Sequence, residues 1–365
     1  MLYRNLKYGG LLPDSGLFIT LYDKETLSLY VKSGVYGFLM SPVFGEVSTR
    51  SRHYAALADY ACTREGVHVF FFLKRMIVYG GQIKGSPDCA SFYLNGPYCP
   101  LGLVSKASIA WDESTRTRYE ASNEPGIFTV PEVGERCQPY LIIFFDELGL
   151  KGQAIPSDDL YFELGKYPYP LPSNSIQNMS FCTLTPGETE ILLTLLKTDS
   201  KNALETIPQD VNFNFEPLPF DTSHGISKLH EATSEAHLEA SVLANPELLP
   251  EKLRPGDSAL CRQVPVSPFK PSQMDRADIC YYSDEVLAEG TIPNTIIELK
   301  HRRAGKNEIS QVVRYLKWLY KVAPMEAPRV SLYLFAPSFS RNISGYIPRE
   351  YRSQISLVPF SGFEY

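Results

Sequence analysis

The 365-residue chain has seven cysteines and no CxxC pair among them. An odd, scattered set excludes a disulfide framework and a zinc knuckle as organising devices. Long apolar runs are also missing. The most apolar stretch, Val67 to Tyr79, is broken by Lys74 and Arg75, so no membrane span is expected. The opening MLYRNLKYGG carries no apolar signal core, and a reducing cytoplasm is the expected compartment. There is no GxxxxGK[ST] loop and no GxSxG elbow, which argues against nucleotide hydrolysis and serine-esterase chemistry. The six histidines form no HxxxH cluster, so a histidine-built metal site is not expected. Basic charge is lacking overall: 35 Lys/Arg against 41 Asp/Glu leave a formal charge of -6. That excludes a basic coat protein. The average hides an asymmetry, because residues 301–350 hold nine Lys/Arg against three acidic residues. A local basic patch is the footprint a polyanion would need, although a charge run is more often a solvated helix face.

What the chain does have is ordinary apolar content, 44%, and many aromatics, 20 Phe and 23 Tyr. Aromatics suit pleated, half-buried surfaces and point to substantial β-structure. Length and composition shifts suggest a β-rich domain over 1–155, a Pro/Tyr-rich extension and linker over 156–225, and a further domain over 226–365. In the first part, Leu17–Tyr22 and Leu27–Val31 read as short strands around Asp23-Lys24. Ser51–Ala61 reads as a helix, and His68–Leu73 and Met76–Ile83 as strands. Gly80-Gly81 and Asn95-Gly96-Pro97 read as turns, and Tyr140–Phe145 as a buried strand. A helix is expected at Pro186–Lys197, capped by Thr185, and the domain boundary around Asp199–Ser223.

From Ile226 the pattern changes. Ser234 caps a helix reaching about Leu243, stopped by Asn245-Pro246. Strands follow at Ala277–Tyr282 and Thr295–Lys300. A helix capped by Asn307 runs from about Glu308 to Val322, burying Ile309, Val312, Val313, Leu316 and Leu319. Val330–Phe335 is a strand, then a helix over Ser340–Arg352 and a strand at Ile355–Pro359. The order implies a mixed sheet flanked by helices, so the fold class is mixed α+β or α/β.

The chemistry lies in Asp278 and the tripeptide Glu298-Leu299-Lys300. Strand residues two apart share a face, so Glu298 and Lys300 project together. If the two strands are neighbours, Asp278 lies beside Glu298. Two carboxylates make a hard-oxygen site suited to Mg²⁺ or Mn²⁺, with the Leu299 carbonyl as a further ligand. Lys300 would then orient water or stabilise charge on a phosphorane. Two charges on one face of an apolar strand need a reason, and a structural Glu298–Lys300 ion pair is the plain alternative. Gln311 and Tyr315, four apart, share a helix face that can look onto the same site.

These segments resemble the NucS/EndoMS family of DNA endonucleases, within the PD-(D/E)xK nuclease superfamily. The resemblance runs from about Ser234 to Tyr365. It is carried in order by Ser234-Glu-Ala-His-Leu-Glu with Ala244-Asn-Pro-Glu-Leu-Leu249, Arg276-Ala-Asp278-Ile, Ile297-Glu-Leu-Lys-His-Arg-Arg-Ala304, Ile309-Ser-Gln-Val-Val-Arg-Tyr-Leu316 and Tyr333-Leu-Phe-Ala-Pro-Ser338. It implies a restriction-endonuclease-like domain and a Mg²⁺- or Mn²⁺-dependent endonuclease acting on DNA. Asp278 and Glu298 would bind metal, and Lys300 would be catalytic. Gln311 and Tyr315 would complete the site. Glu235 matches the family's helix glutamate, with Glu239 as the alternative. Arg276, Arg302, Arg303, Lys306 and Arg314 are the nearby candidates for DNA contact. The Asp278–Glu298 connection, with Ser283–Asn294, is longer than the family's and is read as an extended hairpin.

Residues 1–225 do not resemble the family's DNA-binding domain. His68–Gly85 is faintly similar to a hairpin of PUA-like or EVE-type barrels, which implies a barrel-like domain. Lys74, Arg75 and Lys84 would then touch phosphate, while Tyr79, Phe92 and Tyr93 would stack on a base. The plainer reading is that these aromatics fill a core. A front domain choosing substrate for a rear nuclease suggests defence or restriction. The alternatives are repair of mismatched or branched DNA, a ribonuclease, and a non-catalytic nucleic-acid binder. A homodimer and separately encoded partner proteins are left open by the sequence.

Overall fold

The computed structural model describes residues 11, 14–40, 47–85, 90–94, 120–121, 128–130, 135–157, 181–184, 186–204, 229–255, 258–267, 275–283 and 292–360. The chain runs β1 (Gly16–Thr20), α1 (Lys24–Ser33), β2 (Val35–Met40), α2 (Val47–Ala61), β3 (His68–Leu73), β4 (Met76–Ile83), β5 (Tyr93–Leu94), β6 (Glu120–Ala121), β7 (Phe128–Val130), β8 (Glu135–Phe145), β9 (Gln153–Pro156), β10 (Cys182–Leu184), α3 (Pro186–Asp199) and β11 (Lys201–Asn202). It continues with α4 (Glu235–Ala244), β12 (Ser258–Ser267), β13 (Asp275–Ser283), β14 (Thr295–Leu299), α5 (Lys306–Val322), β15 (Ser331–Ala336) and β16 (Ile355–Pro359). The fold is mixed α+β. Among the described residues no helix is long and apolar enough to cross a membrane.

The first sheet has the order β10-β1-β3-β4-β8-β7-β6. The long strand β8 curls it. β8 pairs with β7 over 135–137, with β2 and β5 on its two edges near Leu141, and with β4 at Phe144 and Phe145. Leu27–Val31, expected as a strand, is helical in α1. Asp23 caps that helix by accepting the Thr26 N–H at 2.7 Å, and Gly34 ends it in the left-handed region. Leu27, Tyr30 and Val31 have helical spacing and are buried. The short apolar run hid that period because the cap lies outside it. The Gly80-Gly81 pair is not a turn. The β3–β4 hairpin turns at Lys74-Arg75, both at positive φ. Gly80-Gly81 forms a bulge within β4, where a Cβ on Gly81 would stand 2.5 Å from the Phe145 carbonyl oxygen. Asn95-Gly96-Pro97, Thr185 and most of the expected boundary at Asp199–Ser223 lie outside the described residues, as do residues 284–291 of the expected hairpin.

The second sheet has the order β12-β13-β14-β15-β16. Its first two pairings are antiparallel and its last two parallel, so it is mixed as expected. β12 was not foreseen. α5 packs its apolar face, Ile309, Val312, Val313, Leu316 and Leu319, into the sheet's core. Its N-cap is Gly305 rather than Asn307, because the Glu308 side chain reaches back to the Gly305 N–H at 2.7 Å. Over Ser340–Arg352 the chain makes short 3₁₀ turns, Ile343–Tyr346 and Arg349–Tyr351, in place of a helix. Pro348 removes a backbone donor between them.

α4 is buried from His237 to Leu243 because it is covered on both sides. It lies against α2 from the first half and against β14. Tyr54 of α2 stacks on His237 with ring centroids 3.9 Å apart. One apolar cluster runs from Leu17, Leu57 and Phe71 through Leu238 and Val242 to Ile279, Ile297 and Leu299. The two sheets therefore share a core.

Candidate active site

β14 is buried at every position, so its single charge is costly unless it is paired. Glu298 is 1% exposed. Lys300, two residues on and on the same face, donates to Glu298 Oε1 at 2.8 Å. Its ammonium also lies 3.2 Å from Oε1 of Glu235, the first residue of α4. Asp278 comes from β13. The β13–β14 ladder ends at Ile279–Ile297, which leaves Asp278 one step beyond it, level with Glu298. There its Oδ2 accepts the Leu299 N–H at 2.7 Å. The expected neighbourhood of Asp278, Glu298, Lys300 and Glu235 is present.

Gln311 and Tyr315 of α5 close the other side. Gln311 Nε2 donates to the Tyr315 hydroxyl at 2.6 Å. That hydroxyl has one proton and two acceptors, the Arg276 carbonyl at 2.8 Å and Glu298 Oε2 at 3.1 Å. Both oxygens of Glu298 are thus held from opposite sides.

Sequence reasoning missed the layer beneath. Gln263, on β12, adopts a left-handed φ of 51°, uncommon for a non-glycine residue. Its Nε2 lies 3.1 Å from Asp278 Oδ1 and 3.2 Å from each oxygen of Glu239. Glu239, the alternative helix glutamate, is buried and forked by Arg262 at 3.1 and 2.9 Å. Arg262 also pairs with buried Asp59 of α2. Between the two glutamates, Glu235 is the half-exposed one beside Lys300, and Glu239 is engaged by Arg262. The signal for Arg262 and Gln263 was weak, since neighbouring strand residues should point to opposite faces. The left-handed turn at Gln263 brings both side chains to Glu239.

Burial, reinforced by Asp278, pushes the Glu298 carboxyl up to about 8, although Lys300 opposes the shift. Burial also raises Asp278, again against Lys300. Burial pulls the Lys300 ammonium down, but Glu298, Asp278 and Glu235 more than reverse this and hold it protonated. Negative charge thus exceeds what one ammonium neutralises. Among the described residues no three of His, Cys, Asp or Glu stand together as a ready metal cluster. The available donors are the Asp278 and Glu298 carboxylates. Asp278 Oδ1 and Oδ2 and Glu298 Oε1 each accept one protein hydrogen bond, Glu298 Oε2 shares the Tyr315 proton with the Arg276 carbonyl, and each oxygen keeps a lone pair. Hard oxygens with excess negative charge fit a divalent cation such as Mg²⁺.

The basic candidates divide. Arg302, Arg303 and Lys306 are exposed in the loop after Lys300 and at the start of α5. Arg303 donates to the Phe339 carbonyl at 3.2 Å, and Lys306 lies over the Tyr346 ring. Arg314 is instead paired with Asp275 at 2.7 Å. Arg276 is half-buried, and its charge is felt by Cys182 of the first sheet. Lys74 and Arg75 are exposed at the hairpin tip of the other sheet. Tyr79 and Phe92 are core residues, so the expected base stacking by them is corrected to packing. The Tyr93 side chain lies outside the described residues. Lys84 sits 3.6 Å over the Phe145 ring.

No protein-family model and no curated protein matches the chain. Solved structures similar to it include a repair endonuclease from Pyrococcus abyssi, 11% identical, covering 78% of this chain and 76% of that one with a TM-score of 0.25. An EndoMS complex with double-stranded DNA is 13% identical, covering 90% and 98%, with a TM-score of 0.24. The DNA modification-dependent restriction endonuclease AspBHI is 11% identical, covering 94% and 78%, with a TM-score of 0.18.

Proposed function

We propose that the protein is a metal-dependent endonuclease that hydrolyses phosphodiester bonds in DNA. In this reading residues 226–365 form a PD-(D/E)xK domain, and the curled, barrel-like first part chooses the substrate for a restriction or defence role. The observation that carries the proposal is the meeting of Asp278, Glu298 and Lys300 where the β13–β14 ladder ends, closed by Gln311 and Tyr315.

Asp278 and Glu298, with the Leu299 carbonyl, would hold Mg²⁺ or Mn²⁺. A bound cation supplies polarisation of the phosphate and a lowered pKa for water. Lys300, kept charged by its three carboxylate neighbours, orients the attacking water and stabilises charge developing on phosphorus oxygens. Tyr315 and Gln311 fix Glu298 Oε2, so this carboxylate does not have to reorganise during the reaction. Arg302, Arg303 and Lys306 line the mouth beyond Lys300 and suit the phosphate backbone.

The test is to incubate full-length protein with labelled plain, mismatched, flapped, single-stranded and modified DNA, and with RNA, in Mg²⁺, Mn²⁺ or EDTA. A Glu298→Ala, Lys300→Ala double variant runs alongside. Metal-dependent cleavage lost in the variant supports the proposal, and the preferred substrate separates defence from repair. Metal binding with no cleavage of any substrate turns the reading to a binding protein.

A further inference from the structure

We infer that Asp59, a residue of α2 in the first half of the chain, is a positioning residue for Asp278 and acts through Arg262, Glu239 and Gln263. The inference rests on the nuclease reading of the site.

The first links of the path, Asp59, Arg262 and Glu239, are buried. The Asp59 and Arg262 side chains are 0% and 1% exposed. A guanidinium offers its donors in a rigid plane. Arg262 Nη1 goes to Asp59, while Nε and Nη2 fork the two oxygens of Glu239. Asp59 therefore sets the rotation of the plane, and the plane sets the Glu239 carboxylate. A second residue of the first half steadies the same arginine: its backbone N–H donates to Thr183 Oγ1 of β10 at 3.3 Å.

Gln263 carries the arrangement onward. Its amide nitrogen has two hydrogens, one for Glu239 and one for Asp278. A fixed Glu239 fixes this amide, and the amide fixes Asp278 Oδ1. The Leu299 N–H holds Oδ2. Both oxygens of Asp278 are thus oriented, one by its own sheet and one by a chain of contacts reaching α2. A cluster that served only to tie α2 to α4 could end at the Asp59–Arg262–Glu239 pairing. This one ends on the carboxylate that the proposed chemistry needs, and it reaches that carboxylate through a residue in a rare backbone conformation.

The test uses full-length protein with Asp59→Ala, Asp59→Asn, Gln263→Leu and the Asp59→Ala, Gln263→Leu double variant. Measurements are the melting temperature, Mn²⁺ affinity by electron paramagnetic resonance, kcat and KM on plain duplex, and crystal structures. We expect Mn²⁺ affinity and kcat to fall roughly 10–100-fold in Asp59→Ala and Gln263→Leu at unchanged KM, the range for groups that orient metal ligands. Asp59→Asn keeps an acceptor for Arg262 and should restore much of the loss. The double variant should be no worse than the poorer single variant, because the residues act in series. In Asp59→Ala crystals Gln263 should leave Asp278. Lower melting temperature with wild-type Mn²⁺ affinity and kcat per folded molecule would overturn the inference, as would independent, additive losses. If Asp59→Ala does not fold, Asp59→Ser takes its place. If the wild-type protein neither binds Mn²⁺ nor cleaves, the nuclease reading fails. The Gln263–Asp278 contact in the variant crystals then still decides the relay: its loss supports the coupling and its retention overturns it.

Discussion

The Leu299 N–H donates to Asp278 Oδ2 at 2.7 Å where the β13–β14 ladder has just ended. A side chain has replaced the next rung, so Asp278 has a structural duty as well as a chemical one. The two duties separate by substitution. Asp278→Asn keeps an acceptor for Leu299 and loses only the bond from the Gln263 amide, so it should cost about 1 kcal/mol, less than removal of the side chain. Asp278→Ala leaves the N–H without that partner and should cost about 1–3 kcal/mol. Both should lower cleavage on the order of 100-fold or more, since both remove the charge. Urea unfolding beside single-turnover cleavage tests the pair. Equal stability of the two variants would argue against the capping role.

Glu298→Gln should raise stability while abolishing cleavage. The carboxyl is buried, and burial with Asp278 and Glu235 beside it makes its ionisation costly despite the Lys300 ammonium. A glutamine keeps the oxygen for Lys300. Its amide can donate to the Tyr315 hydroxyl, whose proton then goes to the Arg276 carbonyl. Every polar atom stays paired and the repulsion is gone. A rise of about 1–2 °C in melting temperature without metal is expected, what about 1 kcal/mol gives in a chain of 365 residues. A fall would mean that the Glu298–Lys300 pair stabilises the fold outright.

Tyr315→Phe removes a hydroxyl that joins Gln311, the Arg276 carbonyl and Glu298. It should cost about 1–3 kcal/mol, because buried partners lose their bond. Activity should fall less than in the Lys300 variant, since Glu298 keeps its contact with Lys300. Thermal melts and cleavage rates on one preparation decide this. A loss of activity equal to that of Lys300→Ala would assign Tyr315 a direct chemical part.

Much of this was readable in the residues, for identifiable reasons. His68–Leu73, Met76–Ile83 and Ile355–Pro359 form strands with the expected bounds, because apolar runs between polar turns leave little choice. The faces of Glu298 and Lys300 followed from strand period alone. Leu27–Val31 was misread because a short apolar run fits either period and the deciding group, Asp23, precedes it. Arg262 and Gln263 were invisible because their roles depend on a left-handed residue and on Asp59, some two hundred residues earlier in sequence. The Arg314–Asp275 pair was not legible, since charge in sequence does not reveal a partner 39 residues away across the fold.

Acid should loosen the first sheet through His68. The ring is buried, with Nδ1 3.0 Å from the Tyr79 hydroxyl, and burial lowers its pKa from 6.5 to about 4. The folded state therefore favours the neutral ring. This stability is fully present above pH 6.5, where the unfolded chain is also neutral, and is lost as pH falls from 6.5 toward 4. The full difference is about 3 kcal/mol. A His68→Leu variant should show a flatter dependence of urea midpoint on pH across that window. An unchanged slope would remove His68 from the acid response.

The basic residues should separate in the salt dependence of DNA binding. A side chain that neutralises one phosphate contributes about 0.9 to the slope of log affinity against log salt. Arg302 and Lys306 are exposed beyond Lys300, so each alanine variant should flatten the slope by about that amount, whatever the DNA sequence. Arg314 is already committed to Asp275 at 2.7 Å. Its alanine variant should leave the slope unchanged and show its effect in the melting curve, because Asp275 is then buried without that partner. Titrations from about 50 to 200 mM salt with a catalytically silent Glu298→Gln background measure this directly. A flattened slope for Arg314→Ala would mean that the Asp275 pair opens when DNA arrives. Unchanged slopes for Arg302→Ala and Lys306→Ala would move the DNA path away from the mouth of the β14–α5 loop and require another basic surface, with the Lys74-Arg75 hairpin tip the next to test.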